Sequence, residues 1–137
     1  MVTQQPNVQV PTLISLGFVD VGHWEPVGDR IEFRFVSSSK DIAVLYAFCI
    51  ENQVMYIGKT TRSLMQRMQN FQTPGVSQTT NVRNNSLISS AIKGGQTVKI
   101  LALEDTGEFT YRGIPVSLVD GLEANLIKQI SPPWNVR

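Results

Sequence analysis

Residues 43–71 read AVLYAFCIENQVMYIGKTTRSLMQRMQNF, and two changes of rhythm within them set the fold. Residues 43–50 form an almost unbroken apolar run and residues 53–57 a second, both rich in the branched and aromatic side chains that suit a pleated surface. The polar pair Glu51-Asn52 between them reads as the turn of a hairpin. After Gly58 the period lengthens from two to about 3.6, with Leu64, Met65, Met68 and Phe71 on one face, which predicts a helix ending before Pro74.

Within this hairpin, strand alternation has a chemical consequence. A three-residue loop of Glu51, Asn52 and Gln53 sets Phe48 opposite Tyr56, with Tyr46 one diagonal step away, so both phenols share a face. Taken singly, a strand tyrosine is usually a packing residue. A pair beside an ammonium such as Lys59 gains a second reading, because the positive charge favours phenolate and makes a tyrosine usable as a base. In the following helix Arg67 sits at the border of the apolar stripe, roughly 60° from Leu64 and 40° from Phe71 on the wheel. Its stem can pack while its planar fork turns into a cleft to clamp two phosphate oxygens. Arg62, earlier in that helix, projects further into solvent.

Downstream, residues 72–82 are polar and contain Pro74-Gly75, which reads as a loop. Asn84 or Asn85 caps a second helix that carries Leu87, Ile88, Ala91 and Ile92 inward and stops at Gly94-Gly95. Residues 97–103 form another strand, 104–115 an irregular connection, and 118–130 a third helix ended by Pro132-Pro133. Upstream, residues 1–12 read as a loose arm. Residues 13–36 form a β-rich stretch ending in the alternation Ile31, Phe33, Phe35, and residues 37–40 a polar linker. The whole predicts an α+β fold with a small, mainly antiparallel sheet flanked by helices. It divides into an N-terminal arm and β extension, 1–42, and a domain over 43–137, packed as one compact unit.

Glu123 is the anomaly in the third helix, for it falls near the middle of the face made by Val119, Leu122, Leu126, Ile127 and Ile130. A carboxylate buried there must be protonated, paired with a base or bound to a cation. A buried ion pair is the structural alternative. A lone carboxylate completed by water is the arrangement magnesium accepts.

Composition narrows the classes. The 137 residues are 42% hydrophobic and carry a net charge of +1, unevenly placed. Residues 44–103 hold Lys59, Arg62, Arg67, Arg83, Lys93 and Lys99 against Glu51 alone, a net +5, between flanks of −2 each. A basic middle is the footprint of a phosphate-facing surface, although a chance solvated face looks the same from charge alone. One cysteine, Cys49, within an apolar run, excludes internal disulfides and a cysteine zinc site, and reads as a buried inert thiol. One histidine, His23, excludes a multi-histidine centre. No membrane span or signal peptide is visible, so the expected place is intracellular and cytoplasmic.

Val44-Leu45-Tyr46, then Tyr56-Ile57-Gly58, Lys59-Thr60, Leu64 and Arg67 together resemble the signature of the GIY-YIG nuclease superfamily. Residues 121–135, GLEANLIKQISPPWN, resemble the branch that joins a metal-binding glutamate to a terminal Pro-Pro-Trp-Asn, as in phage endonuclease II-like and restriction-type members. The likeness covers residues 43–136. It implies a three-stranded antiparallel sheet flanked by helices, and DNA cleavage with one magnesium (or manganese) ion per active site. On this resemblance Tyr46, aided by Lys59 and Tyr56, accepts the proton of the attacking water. Glu123 holds the metal on the leaving-group side, Arg67 binds the scissile phosphate, and Asn135 orients a water or the backbone. VLY in place of GIY keeps the tyrosine. Where relatives carry a His or Lys near the second helix this chain has Arg83-Asn84-Asn85, which suits hydrogen bonding to a phosphate better than proton relay. Two rivals stand beside this reading: a shell of the same fold that binds DNA without cutting, and a magnesium phosphodiesterase acting on RNA. Cutting both strands would favour paired sites, hence a homodimer or tetramer.

Overall fold

The computed structural model describes residues 9–35 and 42–136. Five strands form one sheet: β1 (Val19–Val27), β2 (Arg30–Phe35), β3 (Val44–Ile50), β4 (Gln53–Thr60) and β5 (Val98–Glu104). Their order is β2-β1-β5-β3-β4, and every neighbouring pair is antiparallel. The four helices among the described residues are α1 (Gln9–Ser15), α2 (Leu64–Gln72), α3 (Thr79–Lys93) and α4 (Leu118–Ile130).

Both faces of the sheet are covered, which is why β3 is buried along its whole length. On one face Tyr46, Phe48, Tyr56, Ile100 and Trp24 pack beneath Leu64, Met68 and Phe71 of α2 and Ile88 of α3. On the other, Leu45, Ala47, Cys49, Ile57 and Leu101 meet Leu13 of α1 and Val119 and Leu126 of α4.

One expectation is extended and two are corrected. The expected three-stranded sheet is the β5-β3-β4 portion, and the N-terminal β extension continues it to five strands, because the apolar side of the β1–β2 hairpin, Trp24 and Ile31, merges with the core beneath α2 and α3, and β1 pairs directly with β5. The arm reading of residues 9–12 gives way to α1. The helix was hidden because it buries only Leu13, and it is fastened to the β3–β4 hairpin by two hydrogen bonds, Val10 N to Asn52 O in the turn at 3.0 Å and Val54 N of β4 to Gln9 Oε1 at 2.8 Å. The first eight residues of that arm, and the 37–40 linker, lie outside the described residues. Finally, α3 begins at Thr79, so residues 79–82 are helix rather than loop, and Arg83, Asn84 and Asn85 lie within the helix instead of capping it. Its first turns are polar, and Asn81 is held there by a tertiary contact that no apolar periodicity announces.

The hairpin shows how a different local geometry reaches the expected register. Ile50 pairs with Gln53, so the turn is the two residues Glu51 and Asn52, with Glu51 at φ 54°. The register then shifts between Phe48 and Cys49, leaving Met55 as an extra residue in β4. Val54 therefore packs on the α1–α4 face while Tyr56 packs on the other, opposite Phe48. A bulge does the work assigned to an odd loop, and the two tyrosines share a face.

A small hairpin, β6 (Thr110–Tyr111) with β7 (Ile114–Pro115), occupies the connection expected to be irregular. The third helix spans 118–130 as expected. It is capped by Ser117 through Asp120 N and by Asp105, whose Oδ2 accepts from Leu118 N at 2.9 Å, and it ends where Ser131 turns left-handed before the two prolines.

Candidate active site

Tyr46 lies in the centre of β3, 1% exposed, and pairs across the hairpin with Gly58. The glycine is a steric requirement: a Cβ there would stand 2.6 Å from the Tyr46 hydroxyl and 2.7 Å from its ring carbon Cζ. The phenol thus passes over β4 through space that a side chain would fill. Its ring sits 6.2 Å from Tyr56 and 6.0 Å from Phe71.

Arg67 closes this aromatic group from α2. Its guanidinium lies 4.2 Å above the Phe71 ring, and its Nη1 donates to Asn81 Oδ1 at 2.9 Å. These contacts place the charge at the border of the apolar stripe, as the helical wheel suggests. Burial raises the Tyr46 phenol far above its ordinary range, with the tyrosine beside it adding to the rise and the charge and hydrogen bond of Arg67 opposing it. Tyr56 is raised for the same first reason, offset by Arg67 and by a hydrogen bond from Tyr46. Arg67 is thus a cation that acts on both phenols, and both phenols are protonated at neutral pH.

Lys59 follows Gly58 on the α4 side of the sheet. Its Nζ lies 2.8 Å from Asp120 Oδ1 and 3.8 Å from Glu123 Oε1. The Asp120 hydrogen bond is the main reason the ammonium titrates above its usual value, and the same bond holds Asp120 below its own. Glu123 stands at the rim of the packed helix face rather than in its middle, with 24% of its side chain exposed. Its charge is among the causes that raise both phenols. Arg67 and Glu123 thus act on the two phenols with opposite sign, the first lowering and the second raising them.

A carboxylate in this position suits a hard, largely hydrated cation such as magnesium, which needs few protein ligands. Among the described residues no group of three or more His, Cys, Asp or Glu is placed so that it could hold a metal ion.

The Pro-Pro-Trp-Asn segment seals the free edge of β4. Trp134 N donates to Met55 O at 2.8 Å, and the Asn135 amide makes a two-way clamp on Ile57, accepting from its N at 3.0 Å and donating to its O at 3.0 Å. Asn135 so fixes the backbone between Tyr56 and Gly58. Arg83 donates from Nη1 to the Trp134 carbonyl, and its charge also lowers the Tyr56 phenol.

The remaining residues named from sequence fare differently. Arg62 is exposed and borders a shallow cleft of about 380 Å³ with Lys59, Thr60, Gln66, Arg67 and Asn70. Asn84 is fully buried and donates to Thr80 O at 3.0 Å, while its Oδ1 has no partner. Asn85 donates to Phe71 O at 2.8 Å and Gln72 O at 3.3 Å, satisfying the last carbonyls of α2. Its amide nitrogen is thus engaged within the fold rather than turned outward to a phosphate. Cys49 is free and buried, its thiol pushed up to about 12 chiefly by burial, and His23 pairs with Glu25 at 2.9 Å on the β1 surface. Asn81 and Asp120, which contact Arg67 and Lys59, carried no signal in the sequence beyond their polarity.

The fold defines a class, an α+β protein built on a five-stranded antiparallel sheet, and comparison with known proteins places the chain within it. No protein-family model matches. Endonuclease II of Enterobacteria phage T4 is 32% identical over 116 residues, a match covering 80% of this chain and 83% of that protein. The chain belongs to the family of that endonuclease. The structure of a mutant of bacteriophage T4 EndoII aligns with a TM-score of 0.72 at 23% identity, over 93% of this chain and 99% of that one. The restriction endonuclease HPY188I in complex with product DNA aligns at 0.54 with 16% identity, over 96% and 93%. Among the described residues no helix is long and apolar enough to cross a membrane.

Proposed function

We propose that the chain is a metal-dependent endonuclease of the GIY-YIG kind that hydrolyses DNA phosphodiester bonds, with residues 43–137 as its catalytic domain and Pro132-Pro133-Trp134-Asn135 as the mark of its branch. The observation that carries this reading is the guanidinium of Arg67, held between Phe71, Asn81 and Tyr46 beside a cleft, with the Glu123 charge acting on the same phenols. Kinship with T4 Endonuclease II supports DNA as the substrate.

Arg67 binds the scissile phosphate and stabilises the charge that develops on it. Glu123 holds one magnesium or manganese ion. When bound, that ion supplies Lewis-acid stabilisation of the leaving oxygen. Tyr46 orients the attacking water and takes its proton. Because burial keeps this phenol protonated, the base role requires its ionised form, which Arg67 favours and which becomes more populated as pH rises. Lys59 restrains the acidic pair on α4 and meets the DNA backbone together with Arg62 and Arg83. Asn135 holds β4 in place.

Nicking of a supercoiled plasmid, followed with magnesium and then with EDTA, tests the reading. The expected outcome is conversion to open or linear forms in magnesium only, at a rate that climbs with pH in the alkaline range. Retained plasmid binding without cutting would replace this reading by the non-cleaving module. A flat pH profile would leave Tyr46 with orientation alone.

A further inference from the structure

Asn81 is a polar side chain in the first turn of α3, yet it is only 7% exposed, among exposed neighbours at Gln78, Thr79, Thr80 and Val82. Its burial is explained by a directional chain of hydrogen bonds. Gly75 N donates to Gln78 Oε1 at 3.0 Å, Asn81 Nδ2 donates to the same oxygen at 3.1 Å, and Arg67 Nη1 donates to Asn81 Oδ1 at 2.9 Å. The orientation of each amide is settled by the chain, since it begins at a backbone N–H and ends at a guanidinium, neither of which can accept. Gln78 is the N-cap residue of α3 but makes no capping hydrogen bond with its side chain. Its oxygen is directed instead to the turn at Gly75 and to Asn81.

Resting on the reading of Arg67 as the phosphate clamp, we infer that Asn81 is a positioning residue, which fixes the rotation of that guanidinium and ties it through Gln78 to the turn at Gly75. Phe71 confines the guanidinium plane from one side by stacking, and Asn81 removes the remaining freedom within that plane. A clamp so held meets a phosphate without first losing side-chain entropy or reorganising, which is the advantage of a preorganised stabiliser.

Asn81→Leu keeps the size and removes both hydrogen bonds, whereas Asn81→Asp keeps the acceptor facing Arg67, loses only the donor to Gln78, and places an acid in a helix's first turn, where it is tolerated. On a short DNA duplex with magnesium, Asn81→Leu should lower kcat by about tenfold or more with KM within about threefold, as expected when a stabiliser is misoriented. Asn81→Asp should recover most of that loss. The guanidinium ¹⁵N resonance of Arg67 should be resolved in the wild type and Asn81→Asp and broadened in Asn81→Leu, a signature that loss of stability alone does not give. Should Asn81→Leu not fold, Gln78→Ala at its exposed position breaks the chain one link away and should lower kcat by about threefold; wild-type kcat in that variant overturns the inference. So does an unchanged resonance or an unchanged kcat in a folded Asn81→Leu. Full cleavage by Arg67→Ala would instead remove the phosphate-clamp reading, and the inference with it.

Discussion

On the α2–α3 side of the sheet the candidate site is dry and fixed: Tyr46 is 1% exposed, and Arg67 is stacked on Phe71 and bonded to Asn81. On the α4 side Lys59, Asp120 and Glu123 stand with side chains 39%, 62% and 24% exposed and meet only through ion pairs. The contrast follows from what surrounds each group. Beneath two helices the aromatic packing sets geometry and burial shifts the phenols, because an ionised oxygen there loses water it cannot replace. At the solvent edge, charges are screened and long side chains can rearrange around an arriving cation at small cost. Rigid groups suit contact with a phosphate whose shape is constant, and movable ones suit an ion that brings most of its own ligands.

The largest effect expected from this contrast is on Glu123. Glu123→Gln keeps the size and removes the charge, so cutting should fall by about 10³-fold or more, the loss of several kcal/mol of stabilisation. Binding to DNA, carried by the basic middle segment, should persist. The melting temperature in EDTA should match that of the wild type, since Lys59 keeps its closer partner Asp120. A large loss of stability in EDTA would make Glu123 half of a structural ion pair and end the division between a fixed face and a movable one.

Arg67 comes second, and the structure gives it a structural duty beside its chemical one. Arg67→Ala should reduce cleavage by roughly 10²-fold. It also strands the buried Asn81 oxygen and uncovers Phe71, so stability should fall by about 1–3 kcal/mol. Denaturant unfolding beside single-turnover cleavage, both well below the melting transition, separates the two losses. Unchanged stability would mean that the face is less tightly fixed than its hydrogen bonds indicate.

How far the sequence foretold this contrast depends on the residue. The faces of Tyr46, Tyr56 and Arg67 were legible because strand alternation and helical period assign them directly, and the third helix was legible because two prolines end it. The bulge at Met55 was not, because an extra residue in a ladder is set by what both faces bury and leaves no mark in its own stretch. Nor was the joining of β1 to β5, a pairing between strands some seventy residues apart in the chain. Asn81 and Asp120 were passed over because a polar residue near a helix start is ordinarily solvated, and only the tertiary partner, Arg67 or Lys59, gives it a role. Lys59 was placed beside the phenols by sequence proximity, yet alternation sends it to the opposite side of β4 from Tyr56 and Gly58 toward α4.

The smallest expected effect measures the buried face alone. Tyr46 and Tyr56 both have folded values above the ordinary tyrosine value of 10.0. Between that value and the folded ones the unfolded chain releases a phenolic proton that the folded chain keeps, so unfolding becomes more favourable as pH rises. Their contribution to stability is full below about pH 10 and declines above it, by about 1.4 kcal/mol per pH unit for each tyrosine. Cys49, raised from 9.0 to about 12, adds a similar decline beginning one unit lower. Urea unfolding of the wild type and Tyr46→Phe at several values between pH 8.5 and 11 isolates the one phenol, because Cys49 and Tyr56 remain in both. The difference between the two proteins should be constant below pH 10 and should then shift in favour of Tyr46→Phe as pH rises. A difference that stays constant throughout would show that Tyr46 ionises as easily in the folded protein as in the unfolded one. The phenol would then lie in a wet site like that of Glu123, and the two faces would no longer differ in the way their packing indicates.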